Sequence, residues 1–94
     1  MRISAIECPA CNAVIFSRAR HDFRYCPCGT VAIDGGFDYK KVCYADCIPR
    51  HLFIEVATVD KQILFEDWNT QKDKYGIILK ENRQKNLEEY AVLK

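Results

Sequence analysis

The chain has 94 residues, with 14 Lys/Arg against 13 Asp/Glu, a formal net charge of +1, and 49% hydrophobic and 29% charged residues. That balance excludes a disordered chain, a membrane-spanning protein and a strongly basic neutraliser of nucleic acid. A chain this short buries only roughly 60–65% of the surface its unfolded form exposes, so a metal, disulfides or a partner is expected to support its core.

The N-terminal Met1–Glu7 runs into Cys8 without a stretch of signal-peptide length. Apolar runs such as Val14-Ile15-Phe16 and Ile77-Ile78-Leu79 fall far short of the roughly 20 residues that span a bilayer. The expectation is a soluble cytoplasmic protein whose six cysteines are ligands or buried thiols rather than bridges.

Short β-type runs alternate with turn residues in the first part of the chain. Ile3–Glu7 leads into Cys8-Pro9-Ala10-Cys11, and Ala13–Ser17 leads out. Asp22–Tyr25 leads into Cys26-Pro27-Cys28-Gly29, and Thr30–Ile33 leads out. Asp34-Gly35 followed by Gly36 signals a hairpin, since glycine takes positive φ at no steric cost, and the chain returns as Phe37–Tyr44. His51–Ala57 alternates as a further strand. Thr58 is placed to cap a helix over about 59–72, with Asp60 in its first turn. Val59/Ile63, Leu64/Trp68 and Phe65/Trp68 give that helix one apolar face, and Gly76 stops it. A second, more polar helix is expected from about Lys80 to Leu93, with a Glu81/Lys85 pair and Leu87, Tyr90 and Ala91 as its apolar stripe.

All six cysteines lie between Cys8 and Cys47. Cys8-x-x-Cys11 and Cys26-x-Cys28 are separated by fourteen residues, just short of the usual spacer. Two close pairs of thiolates are what a tetrahedral structural zinc site requires, and four sulfurs leave no position open for a substrate or an activated water. The C-x-C pair is tighter than usual, and Gly29 can relieve it. Cys8, Cys11, Cys26 and Cys28 are therefore the expected ligands of one structural Zn2+, with His21, Cys43 or Cys47 as the competing substitute for one of them. A thioredoxin-type dithiol is disfavoured, because Asn12–Phe16 reads as a strand where that chemistry wants a helix N-terminus. Cys43-x3-Cys47 reads as buried free thiols in preference to a second metal site with His51.

Ser17–Tyr25 holds three arginines, a histidine and two aromatics. Arg18, Arg20, His21 and Arg24 are the candidate partner-binding residues, and Phe23 or Tyr25 could stack on bases if the partner is nucleic acid. The plainer reading points Arg18 and Arg20 to water, pairs His21 with Asp22 and puts Phe23 in the core. His21-Asp22 lacks a paired nucleophile, so no catalytic residue is expected. Trp68 with Phe65 is read as core packing ahead of a partner anchor.

With these residues in view, the chain resembles a zinc-ribbon family of unknown function found in bacteriophages and bacteria. The likeness rests on C-P-A-C, S-R-A-R-H-D-F, C-P-C-G and I-D-G-G-F-D-Y, with E-D-W-N at Glu66–Asn69 and D-K-Y-G at Asp73–Gly76 shared with longer members. It implies a zinc ribbon with the same C-x-C pair, often a phage setting, and no activity. The expected fold is α+β: a small zinc ribbon of short antiparallel strands extended by one further strand and two C-terminal helices. Residues 1–94 form one domain, 1–47 the ribbon and 48–94 the extension. The expected function is a non-enzymatic binding module, phage-encoded and engaging a host protein in the host cell cytoplasm. The alternative is a nucleic-acid- or transcription-associated ribbon that contacts phosphates through the Arg18–Tyr25 hairpin.

Overall fold

The strand formers of the first part pair much as their pattern demands. A computed structural model describes residues 2–36, 39–56, 60–72, 75–82 and 91–93. Strand β1 is Arg2–Glu7, β2 is Val14–Ile15, β3 is Arg24–Tyr25, β4 is Val31–Asp34 and β5 is Lys41–Tyr44. After β6 (Arg50–Val56) come helix α1 (Lys61–Asn69), β7 (Ile77–Ile78), a 3-10 turn at Lys80–Asn82 and β8 (Ala91–Leu93). One sheet has the order β7-β2-β1-β6-β8 and the other β3-β4-β5, with antiparallel pairing throughout.

β1 is the centre of the larger sheet and is covered on both faces. Ile3 and Ala5 face a core with Val14, Phe16, Ile54, Val56, Ile78 and the helix residue Leu64. Ile6 faces the opposite way, into a core with Cys8, Ile15, Cys26, Val31 and Ile33. The register places Ile3 opposite Ile54 and Ile6 opposite Ile15, so each face gathers its own apolar set. The sheet is thus sandwiched between α1 and the layer that carries the cysteines. A strand buried on both faces reads as a continuous apolar run, which is why Val14-Ile15-Phe16 shows no alternation.

The fold is α+β but mostly sheet, and the expectation of two C-terminal helices is corrected to one short helix. The second helix, from about Lys80 to Leu93, is replaced by the 3-10 turn and by β8, which pairs with β6 through Ile54–Leu93, Glu55–Val92 and Val56–Ala91. The other edge of β6 is already taken by β1, and β8 satisfies backbone groups that β6 would otherwise leave bare. A weak helical stripe does not outweigh a row of such bonds. Lys85, Leu87 and Tyr90 of that expected helix lie outside the described residues.

The first helix is shorter than 59–72. Asp60 is its cap rather than part of its first turn: the carboxylate accepts the Ile63 N–H at 3.0 Å. Thr58, expected in that role, lies outside the described residues. The helix ends at Asn69 without waiting for Gly76. Gln71 turns left-handed (φ 55), with its N–H on the Trp68 carbonyl and the Lys72 N–H on the Asp67 carbonyl. These two bonds are those of a Schellman ending. Gly76 serves a different purpose: at φ 104 it lies so close to Arg24 that a Cβ would sit 2.6 Å from the guanidinium Nε.

Candidate metal centre

Each cysteine pair sits in a six-residue loop closed by the same backbone bond. The Cys8 N–H donates to the Ala13 carbonyl and the Cys26 N–H to the Val31 carbonyl, both at 3.0 Å. Inside the first loop Asn12 turns left-handed (φ 62) and donates its N–H to the Cys8 carbonyl. Inside the second, Gly29 does so one position earlier (φ 76), donating to the Cys26 carbonyl. The glycine falls early because its cysteine does. Hairpin β1–β2 presents the first loop and hairpin β3–β4 the second, across the Ile6–Ile33 core.

The sulfurs of Cys8, Cys11, Cys26 and Cys28 all lie within 4.8 Å of one another. Cys8 and Cys28 are 3.6 Å apart, and Cys26 and Cys28 3.4 Å. Sulfurs bound 2.3 Å from a tetrahedral ion stand about 3.8 Å apart, so the cluster has nearly that size. Four cysteines are therefore positioned to hold a metal ion. Cys8 and Cys26 are buried, Cys11 is half-buried and Cys28 is exposed.

The thiols differ in acidity. Burial pushes the Cys26 thiol up, but hydrogen bonds from the Val31 backbone, Cys28 and Thr30 outweigh it and bring it down to about 6. Cys8 is lowered in the same way, against burial, by Thr30 and the Cys11 and Ala10 backbone. Burial raises Cys11 to about 12. Hydrogen bonding and burial thus push thiols of one cluster in opposite directions.

Among the described residues, Cys43, Cys47 and His51 do not gather into a group that could hold a metal ion. Cys43 is exposed on β5 and Cys47 is half-buried, so the expectation of buried thiols is corrected. Edge strand β5 leaves Cys43 on the face it shares with exposed Tyr25 rather than against the core.

The arginines are placed differently from the expectation. Arg18 is 3% exposed, so neither a contact surface nor a solvent-pointing side chain is found there. Its Nε reaches Asp22 Oδ2 at 2.9 Å and its Nη1 reaches Asp67 Oδ2 at 2.6 Å. These charge-assisted bonds outweigh the burial that disfavours its cation and raise its pKa. The same Asp67 oxygen accepts the Tyr75 N–H, and the Ser17 hydroxyl lies 2.8 Å from the Ala19 and Asp22 carbonyls. Arg24 is largely buried beside Asp22 at 3.7 Å. Asp22 is therefore engaged by Arg18 rather than by His21. Arg20 and His21 are exposed, His21 at φ 77.

Phe23 and Tyr25 pack edge to face 5.2 Å apart, 41% and 57% exposed, which corrects the placing of Phe23 in the core. Phe65 is 47% exposed against half-buried Trp68. Together with Ala19, Arg20, His21 and Lys61 they line a cleft of about 410 Å³ between the Arg18–His21 turn and α1. The residues that the sequence did not single out are Asp67, which ties α1 to the turn, and Thr30 at the sulfurs. Comparing the two loops position by position would have found Thr30. Nothing local marks Asp67 as the partner of Arg18.

Residues 2–44 match a family described as a domain of unknown function (DUF7695). The match takes in both cysteine loops and all of β1 to β5. The zinc-ribbon character and phage setting implied by the resemblance are not part of that match. No curated protein and no solved structure matches the chain. No helix among the described residues is long and apolar enough to cross a membrane.

Proposed function

We propose that the protein is a small non-enzymatic zinc-binding module, built as a zinc ribbon, that engages another protein. The observation that carries the metal is the gathering of four cysteine sulfurs within 4.8 Å by two like loops. An all-sulfur tetrahedral set suits zinc or iron, and redox-inert zinc suits a site with Cys28 exposed. Cys8, Cys11, Cys26 and Cys28 would hold the ion, whose chemistry there is structural: it ties the two hairpins together. Full thiolate ligation supports the non-enzymatic reading, because it leaves no place for a substrate.

For the partner surface, the exposed members of the expected set, Arg20 and His21, flank the cleft that also exposes Phe65. An aromatic floor under a cationic rim is the composition of a protein-binding hot spot. A phosphate-gripping surface is less well supported, because Arg18 is sealed in its ion pairs. The phage setting rests on the family resemblance, engagement of a host protein is inferred from that setting, and the cytoplasmic reading rests on the cysteine usage and the lack of a signal-like stretch.

X-ray absorption and metal analysis of the purified protein test the site. One zinc with four sulfur ligands at about 2.3 Å is expected. Bound iron, or nitrogen and oxygen ligands, would reject the assignment. A pull-down from lysate with and without nuclease tests the partner. A protein that survives nuclease and is lost from Arg20→Glu supports this reading, whereas recovery of nucleic acid alone favours the other.

A further inference from the structure

We propose that the Thr30 hydroxyl is a donor to the metal-bound thiolates, and that it steadies the exposed Cys28 ligand of the short second loop. This rests on the metal-site reading above and deepens it. The two loops have frames of equal length, Cys8–Ala13 and Cys26–Val31, each closed by the same backbone bond. In the first frame the second cysteine is the fourth residue. In the second frame the fourth residue is Gly29, and the cysteine has moved forward to Cys28. That shift leaves the Cys28 sulfur at the surface. It also leaves the fifth position, Asn12 in the first loop, to Thr30.

Thr30 Oγ1 lies 3.0 Å from Cys28 Sγ, 3.2 Å from Cys8 Sγ and 3.8 Å from Cys26 Sγ. The oxygen thus caps the face formed by three of the four sulfurs. A hydroxyl has one proton to give, and a thiolate can only accept it. The nearest acceptor is Cys28, and the other two sulfurs face the same O–H dipole. Four thiolates around a dication carry an excess of two negative charges, which a donor disperses while it fixes the ligand's orientation. A water could solvate Cys28 at the surface, but it would not hold the sulfur in place. Thr30 is tethered two residues away and is already positioned.

Full-length Thr30→Val and Thr30→Ser chains, loaded with cobalt(II) or zinc and titrated against a competing chelator, test this. Thr30→Val should bind each metal about 10–100-fold more weakly, the loss typical of a removed supporting hydrogen bond to a ligand. Its sulfur-to-cobalt charge-transfer band should move to lower energy, because an undonated thiolate gives up its electrons more readily. Thr30→Ser should keep the affinity and the band of the parent chain. A Thr30→Val chain with parental affinity and spectrum would overturn the assignment, and so would a Thr30→Ser chain as weak as Thr30→Val. Should Thr30→Val fail to fold, the serine chain still decides: loss of affinity there rejects a role for the hydroxyl. A parent chain that takes up no cobalt and no zinc overturns the metal reading itself, and this one with it.

Discussion

Arg18 illustrates how much one side chain can decide. Its guanidinium joins Asp22 in its own turn to Asp67 on α1, with all three side chains nearly sealed from water. Removing one partner from a buried ionic network leaves an uncompensated charge, which typically costs about 3–5 kcal/mol. Asp67→Ala should therefore lower the stability of the metal-loaded protein by about 3 kcal/mol in urea unfolding, leaving the metal content of the folded protein unchanged. A loss under 1 kcal/mol would show that water compensates Arg18 and that the network is looser than its distances suggest. Gln71 makes the opposite case. It adopts a left-handed conformation (φ 55) that favours glycine, at the end of α1. Gln71→Gly should raise stability by about 0.5–1 kcal/mol, a gain readable as a rise of a few degrees in Tm.

At the scale of elements, the strands before Tyr44 were legible because turn chemistry brackets them. Two cysteine loops and the Asp34–Gly36 turn punctuate the chain, and short apolar runs lie between. The last strands were not legible. β7 is two residues long and β8 three, too short for any alternation to register. What makes them strands is an open edge elsewhere in the molecule: β7 completes β2, and β8 completes β6. Truncation after Asn82 should accordingly leave metal binding intact while the β6 amides that face β8 exchange at least about tenfold faster. The bared edge should also promote self-association, visible by light scattering. Unchanged exchange would mean that β8 contributes nothing to holding β6. The apolar face that the sequence pattern gives α1 is broader than the buried one for the same kind of reason. Only Leu64 and Asp67 are buried in the helix, while Ile63 and Phe65 remain exposed, because a short helix on one sheet buries a narrow stripe.

For the whole molecule, the four-cysteine cluster joins a hairpin of one sheet to a hairpin of the other. Cys8 and Cys26 belong to the same buried cluster as Ile6, Ile15, Val31 and Ile33, so the sulfur cluster is continuous with one of the two cores. Stripping the ion should leave thiolates that repel one another at the turns of both hairpins. Chelation at neutral pH is expected to abolish the cooperative thermal transition, and Cys26→Ser to do so without chelator, because metal binding and folding are linked. A sharp, parental transition in the chelated protein would show that the sheets stand without the metal. The pH dependence has a definite sign. Ligand cysteines must be deprotonated, so binding releases protons, and falling pH should weaken the site and lower Tm.

The sequence by itself determined the four clustered cysteines, the loops that carry them and the strand-rich first half. Those features are local: spacing sets the reach of two sulfurs, and Gly29 or Asn12 sets the turn, whatever lies across the molecule. Resemblance along S-R-A-R-H-D-F and E-D-W-N was visible too, but its meaning was not. Read as a line of residues, Arg18 and Arg24 look like a contact surface; in three dimensions the first is closed by Asp67, forty-nine residues away, and the second packs against Gly76. Only the tertiary structure decided which charges face water, that Ala91–Leu93 pairs as β8 and where Thr30 stands relative to the sulfurs. Each of these depends on what a distant part of the chain brings alongside, and the free energy of burying a charge or satisfying an edge is set by that neighbour and not by the residue's own sequence context.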